Sequence, residues 1–217
     1  AVLRGEGAWA EAFPKIRALS SKPMVLGRSR STFELRRQLS ADLSATGLTP
    51  TTAQLHFDCC EQDLARLNLE ADGCDAVIAA GGGKVLDAGK LLAHRLSLPC
   101  ITVPLSAATC AGWTALSNIY SPEGAFKGDV SLDRCPDLLV FDHGLVRQAP
   151  PRTLASGVAD ALAKWYEASV SSADSSDGLV QQAVQMARVL RDQLLIDSPT
   201  AMEDINSAAW VRTAEAC

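Results

Sequence analysis

Short apolar runs alternate with stretches of helical apolar spacing over the first two-thirds of the chain. Strand-like runs separated by amphipathic helices are typical of a parallel sheet with helical crossovers. The fold class predicted for this part is therefore α/β with a parallel sheet. The apolar runs predict strands at 23–27, 53–58, 75–80, 100–104 and 137–142.

Three helices and one hairpin are predicted between these strands. Ser31 and Glu34 have the spacing of a capping box, in which each side chain binds the other residue's backbone N–H at a helix start. Glu123-Gly124 is a turn signal between two strand-like runs and predicts an antiparallel hairpin. The helices are expected at 31–47, 61–71 and 85–96, and the hairpin at 118–130.

The pattern changes at Pro150-Pro151, after which only helical spacing is found. We therefore predict an α/β domain over 1–150 and the start of an all-helical domain over 151–217. The chain has no initial methionine, and its last helical pattern has no stop signal. We accordingly expect a piece of a longer protein with a truncated helical domain. The helices of this part are predicted at 152–170, 179–195 and 200–217.

Charge and composition argue against several classes of partner. The net charge of −5 disfavours nucleic acid and anionic membranes, because both require a basic surface. No apolar run approaches the roughly 20 residues that span a bilayer. The seven cysteines are odd in number and include no CxxC pair, which indicates a reducing, cytoplasmic location.

The strongest local signal for chemistry is a glycine-rich corner between a strand and a helix, Gly81-Gly82-Gly83-Lys84. Glycine lets a ligand approach the backbone closely, and a helix start offers free N–H groups and a partial positive charge. Both features suit a pyrophosphate. The pattern is neither GxGxxG nor a P-loop, so a plain strand-to-helix turn is the alternative.

Arg28 and Arg30 follow the predicted strand 23–27, at a position where dinucleotide-binding folds often place a carboxylate on the ribose 2′-hydroxyl. No carboxylate directly follows this strand. An arginine can instead bind a 2′-phosphate through two hydrogen bonds, which favours NADPH over NADH. Two solvated loop arginines are the alternative.

Two further segments are candidates for a site. The loop 104–120 is rich in small and hydroxyl-bearing residues and follows a strand, where ligands bind in open α/β sheets; an irregular connection is the alternative. Asp160 lies on an alanine-rich helix and requires a partner, either Lys164 four residues later or a metal ion.

No GxSxG elbow, the motif of a nucleophilic serine, is present. The histidines are widely separated and indicate no ligand cluster: His56, His94 and His143.

Four sequence blocks together resemble the iron-containing alcohol dehydrogenase family, and within it the glycerol dehydrogenase branch. They occur in the order and spacing of that family. The resemblance implies a dinucleotide-binding α/β domain followed by a helical domain, with substrate and a divalent metal in the cleft between them. The blocks are GGGKVLDAGK, ITVPLSAATCAGWTALSNIYSPEG, PDLLVFD and APPRTLASGVADALAKWYEA.

The resemblance also implies roles for individual residues. It places the first metal ligand at Asp160, and it places two histidines that complete the metal site beyond Cys217. The implied pyrophosphate loop and the start of its helix comprise Gly82, Gly83, Lys84, Val85, Leu86 and Asp87. The further cofactor contacts that it implies are Leu105, Ser106, Ala107, Ala108, Thr114, Leu116 and Tyr120.

The implied reaction is hydride transfer between NAD(P) and a small alcohol or a 2-hydroxy/2-oxo acid. A metal would bind the substrate oxygen as a Lewis acid and stabilise the alkoxide, while the protein positions the nicotinamide. One carboxylate and two imidazoles suit zinc and iron equally. A cytoplasmic homo-oligomer is expected.

Cys110 departs from the glycerol branch, which has an aspartate there that contacts the polyol hydroxyls. A thiol accepts hydrogen bonds weakly, so glycerol is disfavoured, and Cys110 becomes a candidate substrate contact. The segment ATCAGWT is similar to hydroxycarboxylate dehydrogenases that reduce 2-oxo acids.

Three alternatives remain open at this point. They are glycerol dehydrogenase proper, a dehydroquinate-synthase-like lyase, and a non-catalytic nucleotide-binding module. A lyase of that kind acts on polyanionic substrates and needs basic residues in its cleft, whereas the loop 104–120 contains no Lys or Arg.

Overall fold

Six parallel strands form the central sheet of the N-terminal part of the chain. In chain order they are β1 (Val2–Gly5), β2 (Pro23–Gly27), β3 (Thr51–Gln54), β4 (Ala76–Gly81), β5 (Cys100–Pro104) and β8 (Leu138–Asp142). Their order across the sheet is β1-β8-β5-β4-β2-β3, and every neighbouring pair is parallel. The parallel α/β sheet predicted from the sequence is confirmed. The structure is a computed structural model that describes residues 1–217.

Helices cover both faces of this sheet and create two apolar cores. Strand β4 contributes to both, because its side chains alternate: Val77 and Ala79 lie in one core, whereas Ile78 and Ala80 lie in the other. A strand that is covered on both faces is apolar throughout, as β4 is. The helices are α1 (Ala8–Leu19), α2 (Phe33–Ala45), α3 (Glu61–Glu70), α4 (Gly83–Leu96) and α5 (His143–Val146).

A two-stranded antiparallel hairpin stands apart from the parallel sheet. It consists of β6 (Leu116–Tyr120) and β7 (Phe126–Ser131), and its register shifts between Ile119 and Tyr120. The hairpin predicted around Glu123-Gly124 is therefore confirmed. Gly124 has φ +90° in the turn, a conformation that glycine adopts without strain.

Two sequence expectations about local structure are wrong in this region, and two elements were missed. The predicted capping box does not form, because the Ser31 hydroxyl pairs with Ser29 at 2.6 Å and α2 begins later without a side-chain cap. Strand β3 begins two residues earlier and ends four residues earlier than the predicted 53–58. The cause is Asp63, whose carboxylate accepts the amides of His56 and Phe57 at 2.7 Å each and bends the chain after Gln54. Strand β1 and helix α1 were not predicted at all.

The chain divides into two compact units. Unit 1 comprises Ala1–Leu105 and Ala111–Gln148, and unit 2 comprises Ser106–Cys110 and Ala149–Cys217. Unit 2 contains the short segment 106–110 and three helices: α6 (Pro151–Ser171), α7 (Gly178–Glu203) and α8 (Ala208–Ala216).

Helix α7 is longer than its sequence predicts. The expected break between 195 and 200 does not occur, and the helix passes through Pro199 to Glu203. Buried Leu194 and Ala201 lie on either side of the proline, so packing maintains the helix across it. No helix of the chain is long and apolar enough to cross a lipid bilayer.

Candidate functional site

The glycine-rich corner lies where β4 ends and α4 begins, at the carboxyl edge of the sheet. Gly82 is the N-cap of α4, its backbone is extended, and no side chain caps the helix. The amides of Val85 and Leu86 donate to the Gly82 carbonyl at 2.9 and 3.1 Å. The helix start therefore offers the amides of Gly83 and Lys84 to a ligand.

A cavity of about 250 Å³ opens at this corner. Arg28 and Ser29, which follow β2, line it together with the glycines, so two neighbouring strand ends contribute to one site. The structure thus brings together the glycine corner and the loop arginine, two features that sequence analysis predicts only separately. The complete lining is Arg28, Ser29, Thr32, Gly81, Gly82, Gly83, Lys84 and Val85.

A buried carboxylate that sequence reasoning missed, Asp58, connects the two walls of the cavity. Its Oδ2 pairs with Nζ of Lys84, and its Oδ1 lies 3.0 Å from Nη1 of Arg28. The Asp58 side chain is only 6% exposed, whereas the two cations are 45% and 42% exposed. The three groups carry a net charge of about +1, which leaves the corner attractive to an anion. The sequence did contain a signal for Asp58, because this acidic residue follows β3 at the edge of the sheet that carries the glycine corner.

A second arginine, Arg36, holds the loop after β2 in place. Its Nη1 donates to the Ser29 carbonyl at 2.9 Å and to the Thr32 hydroxyl. Burial lowers the pKa of Arg36. Gly27 makes this contact possible, because a Cβ at that position would lie 2.0 Å from Arg36 Cδ. The glycine before Arg28 thus shapes the loop that carries it.

Helix α4 packs unusually close to β4. A Cβ on Gly89 would lie 2.4 Å from the Cβ of Ala79, so glycine is required at that position. The side chains of Val85 and Leu86 are 4% and 1% exposed and belong to the core. Both residues were predicted to contact the cofactor. Because their side chains are buried, chiefly their backbone is available to a ligand.

Asp87 forms a buried network rather than lining the corner cavity. Its carboxylate lies 3.1 Å from Nζ of Lys90, and the two side chains are 8% and 1% exposed. Lys90 Nζ also donates to the carbonyls of Thr114 and Leu116. Burial raises the pKa of Asp87, and the charge of Lys90 opposes that rise. Three residues predicted to contact the cofactor are therefore joined by one lysine that ties α4 to β6.

The remaining predicted contacts of unit 1 lie at different distances from the corner. The Tyr120 ring lies beneath Lys84, with Nζ 5.2 Å from the ring centroid. Leu105 is buried, and its amide donates to the Gly81 carbonyl at 3.0 Å. Tyr120 therefore belongs to the surroundings of the cavity, whereas Leu105 supports the strand that ends in the glycines.

In unit 2 the segment 106–110 packs directly against α6. A Cβ on Gly157 would lie 1.9 Å from the Ala107 carbonyl oxygen, so only glycine permits this approach. Ala107 is 3% exposed, whereas Ser106, Ala108 and Cys110 are half-buried. The close packing places this segment beside the first turns of the helix that carries Asp160.

Asp160 forms an ion pair on the surface of α6. Its Oδ1 lies 3.2 Å from Nζ of Lys164, and the side chains are 41% and 44% exposed. Burial lowers the pKa of Lys164, but Asp160, Glu167 and Cys110 together raise it above its ordinary value. Burial, followed by the charge of Asp160, raises the pKa of Cys217 to about 12. Both partners that the sequence allowed for Asp160 stay open, because an exposed pair can exchange its lysine for another cation.

The residues present do not form a complete metal site by themselves. No group of three or more His, Cys, Asp or Glu side chains in the chain is arranged to hold a metal ion. All seven cysteines are free. His94 lies 3.9 Å from Asp133 in unit 1, and this pair has no further ligand. Asp160 is thus a single candidate ligand.

Comparison with known proteins identifies the family. The family model for iron-containing alcohol dehydrogenases matches residues 1–143, which include the whole parallel sheet and the glycine corner. The chain belongs to the iron-containing alcohol dehydrogenase family. The resemblance that the four sequence blocks indicate is thereby confirmed.

Individual relatives agree with this assignment. An uncharacterized oxidoreductase of Synechocystis is 46% identical over 211 residues, which are 96% of this chain and 55% of that protein. Hydroxycarboxylate dehydrogenase A of Escherichia coli is 38% identical over 149 residues, 67% of this chain and 41% of that protein. The crystal structure of a probable glycerol dehydrogenase from Sinorhizobium meliloti has a TM-score of 0.85 at 25% identity and covers 99% of this chain and 62% of that one. The chain spans about half the length of the curated relatives it matches.

Proposed function

We propose that this chain provides the nucleotide-binding unit and one metal ligand of an NAD(P)-dependent dehydrogenase. The substrate is a small alcohol or a 2-hydroxy/2-oxo acid. One observation carries the proposal: the free helix start of α4 and two partly exposed cations line a single cavity at the carboxyl edge of a parallel sheet. Ligands of open α/β sheets bind at this edge.

The corner is built to hold a pyrophosphate. The amides of Gly83 and Lys84 are available at the positive end of the helix dipole, and no side chain competes for them. Lys84 adds a charge at the cavity wall, and Asp58 holds its ammonium in place. The chain thereby binds and orients the cofactor, which itself carries the hydride chemistry.

Asp160 is proposed as the ligand that this chain supplies to a divalent metal, zinc or iron. A partly exposed carboxylate suits either ion, and its present partner, Lys164, is itself 44% exposed rather than buried. When bound, such a metal supplies Lewis-acid polarisation of the substrate oxygen. Since the chain contributes a single ligand, we assign no further step to it.

The proposed substrate class depends on Cys110. A thiol makes weak hydrogen bonds to polyol hydroxyls, so Cys110 favours a carboxylate-bearing substrate over a polyol, whose hydroxyls the aspartate of the glycerol branch would bind. The similarity to hydroxycarboxylate dehydrogenase A supports this choice, and glycerol is the alternative substrate.

Cofactor titration of the purified chain, followed by protein fluorescence, tests the nucleotide site. We expect NADH or NADPH to bind, and Gly82→Val to weaken that binding by about tenfold or more, because the valine would occupy the cavity at the helix start. Gly82 has a negative φ, so valine introduces no backbone strain there. Gly178→Val, at a glycine with open space around it, is the matched control.

Two results would refute the proposal. One is a wild-type chain that binds neither nucleotide, and the other is Gly82→Val binding as well as wild type. Steady-state assays of the intact protein on glycerol and on 2-hydroxy acids test the substrate class. A clear preference for the acids is expected, and a preference for glycerol would favour the alternative.

A further inference from the structure

We infer that Arg28 selects the phosphorylated form of the cofactor by binding the 2′-phosphate of NADP(H), and that buried Asp58 positions Arg28 for this role. The inference rests on the proposed function, because it concerns one end of the same nucleotide. It names the chemistry that distinguishes the two cofactors at this site, a phosphate dianion against a hydroxyl group.

The topology places Arg28 where the adenosine ribose is expected. Strand β2 lies beside β4 in parallel, with Leu26 opposite Ala79, so Arg28 follows its strand at nearly the level of the glycine corner. The two segments line one cavity. A nucleotide whose pyrophosphate lies at the start of α4 therefore extends its ribose toward the end of β2.

The side chains after β2 are donors. Arg28 has 42% of its side chain exposed, and a guanidinium has five N–H groups, of which the contact with Asp58 engages one nitrogen. The exposed hydroxyls of Ser29 and Ser31, in the same loop, lie 2.6 Å apart. Arg30 adds a second positive charge in the same loop. Positively charged donors suit the oxygens of a phosphate dianion, whereas dinucleotide-binding folds that take the unphosphorylated ribose place an accepting carboxylate here.

The one carboxylate near this position does not change the preference. Asp58 is 6% exposed, and its two oxygens face Lys84 and Arg28. Asp58 Oδ1 accepts no hydrogen bond but is buried from solvent, so it is a poor acceptor for a ribose hydroxyl, and the two neighbouring cations make the carboxylate a weak source of repulsion. It instead restricts the motion of Arg28, which otherwise lies on an exposed loop. The amides of His56 and Phe57, bound by Asp63, fix the chain that leads to Asp58.

Titration with NADPH and NADH tests this directly, because the two differ only in the 2′-phosphate. We expect the wild-type chain to bind NADPH about tenfold or more tightly than NADH. Arg28→Ala should lose most of that ratio through weaker NADPH binding, with NADH binding almost unchanged. Arg28→Lys keeps the charge but loses the paired donors, so it should fall between the two.

A matched control removes the same charge elsewhere. Arg37→Ala changes an exposed arginine that pairs with Glu34 and does not line the corner cavity, and it should keep the wild-type ratio. Thermal unfolding of each variant identifies any that fails to fold. Equal or tighter binding of NADH by the wild type, or an unchanged ratio in Arg28→Ala, would overturn the inference. If neither nucleotide binds, the proposed function itself fails and the inference fails with it.

Asp58→Asn separates the positioning role from direct contact. If Asp58 acts through Arg28, this variant should reduce the NADPH preference by a smaller factor than Arg28→Ala does, and the two changes together should cost no more than Arg28→Ala alone. A loss confined to NADH binding would contradict the inference, because it would make Asp58 the acceptor of the ribose hydroxyl.

Discussion

Two helices carry an aspartate–lysine pair about one turn apart, and the pairs differ in burial rather than in distance. In α4 the pair Asp87–Lys90 is 3.1 Å apart with side chains 8% and 1% exposed. In α6 the pair Asp160–Lys164 is 3.2 Å apart with side chains 41% and 44% exposed. The resemblance implied a site role for the aspartate in both pairs.

The difference in burial assigns the two pairs different tasks. A buried pair must stay intact, because removing one partner leaves an unpaired charge in the interior. Asp87 is therefore suited to fasten α4 to the hairpin. An exposed pair contributes little to stability and can be broken cheaply, so Asp160 is free to exchange Lys164 for another cation. Similar local sequence thus yields a structural tie in unit 1 and a candidate ligand in unit 2.

The largest expected effect comes from breaking the buried pair. Lys90→Met should lower the free energy of unfolding by about 3 kcal/mol or more, because Asp87 would be left buried without its cation. Urea unfolding near neutral pH measures this loss. The double variant Asp87→Asn with Lys90→Met should recover part of it. A loss below about 1 kcal/mol in the single variant would mean that the pair is not structural.

The packing of Gly157 against Ala107 tests whether unit 2 is as tightly built as unit 1 near its candidate ligand. Gly157→Ala should destabilise α6 by about 1–3 kcal/mol, because the new Cβ collides with a backbone carbonyl that must move. Hydrogen exchange of the α6 amides reports the change. Gly178→Ala, which has open space, should be neutral or slightly stabilising. Equal behaviour of the two variants would contradict the close approach.

A third carboxylate, Asp75, sharpens the comparison because its partners are neutral donors rather than a lysine side chain. Burial raises its pKa, but hydrogen bonds from Ser20, Ser21 and the Lys22 amide outweigh burial and lower the pKa to about 2. The stabilisation is therefore present above the ordinary carboxyl pKa and is lost as the pH falls toward about 2. Asp75→Asn should cost about 1–2 kcal/mol at neutral pH.

Urea unfolding as a function of pH measures this contribution. The difference between wild type and Asp75→Asn should shrink as the pH is lowered from about 4 toward 2, since the wild-type carboxylate then becomes protonated. A difference that stays constant across this range would show that the hydrogen bonds do not depend on the charge of Asp75.

The smallest expected effect is that of breaking the exposed pair. Lys164→Met should change the free energy of unfolding by less than about 1 kcal/mol, in contrast to Lys90→Met. The same urea titration measures both variants. A loss as large as that of Lys90→Met would remove the distinction between the two pairs and make Asp160 a structural residue.

The sequence predicts most of the sheet because strands covered on both faces are apolar throughout. Strands β2, β4, β5 and β8 are buried at every position, and each was expected within one residue of its bounds. Strand β1 alternates between exposed and partly buried residues over four positions, so it gives no such signal.

The site is less predictable because long-range contacts decide it. The glycine corner is visible as a local pattern, whereas the contacts of Asp58 with Lys84 and Arg28 join residues 26 and 30 positions apart. Asp87 shows the opposite error: its position within a glycine-corner motif suggests a ligand, yet Lys90 and the burial of α4 give it a structural partner. The role of each aspartate depends on its buried ion-pair partners, and these are set by the whole fold rather than by the local sequence.

A crystal structure of the chain with bound NADPH tests the central claim most directly. We expect the pyrophosphate on the amides of Gly83 and Lys84, the 2′-phosphate within hydrogen-bond distance of Arg28, and an unchanged contact between Asp87 and Lys90. A cofactor bound elsewhere, with the glycine corner empty, would contradict the account.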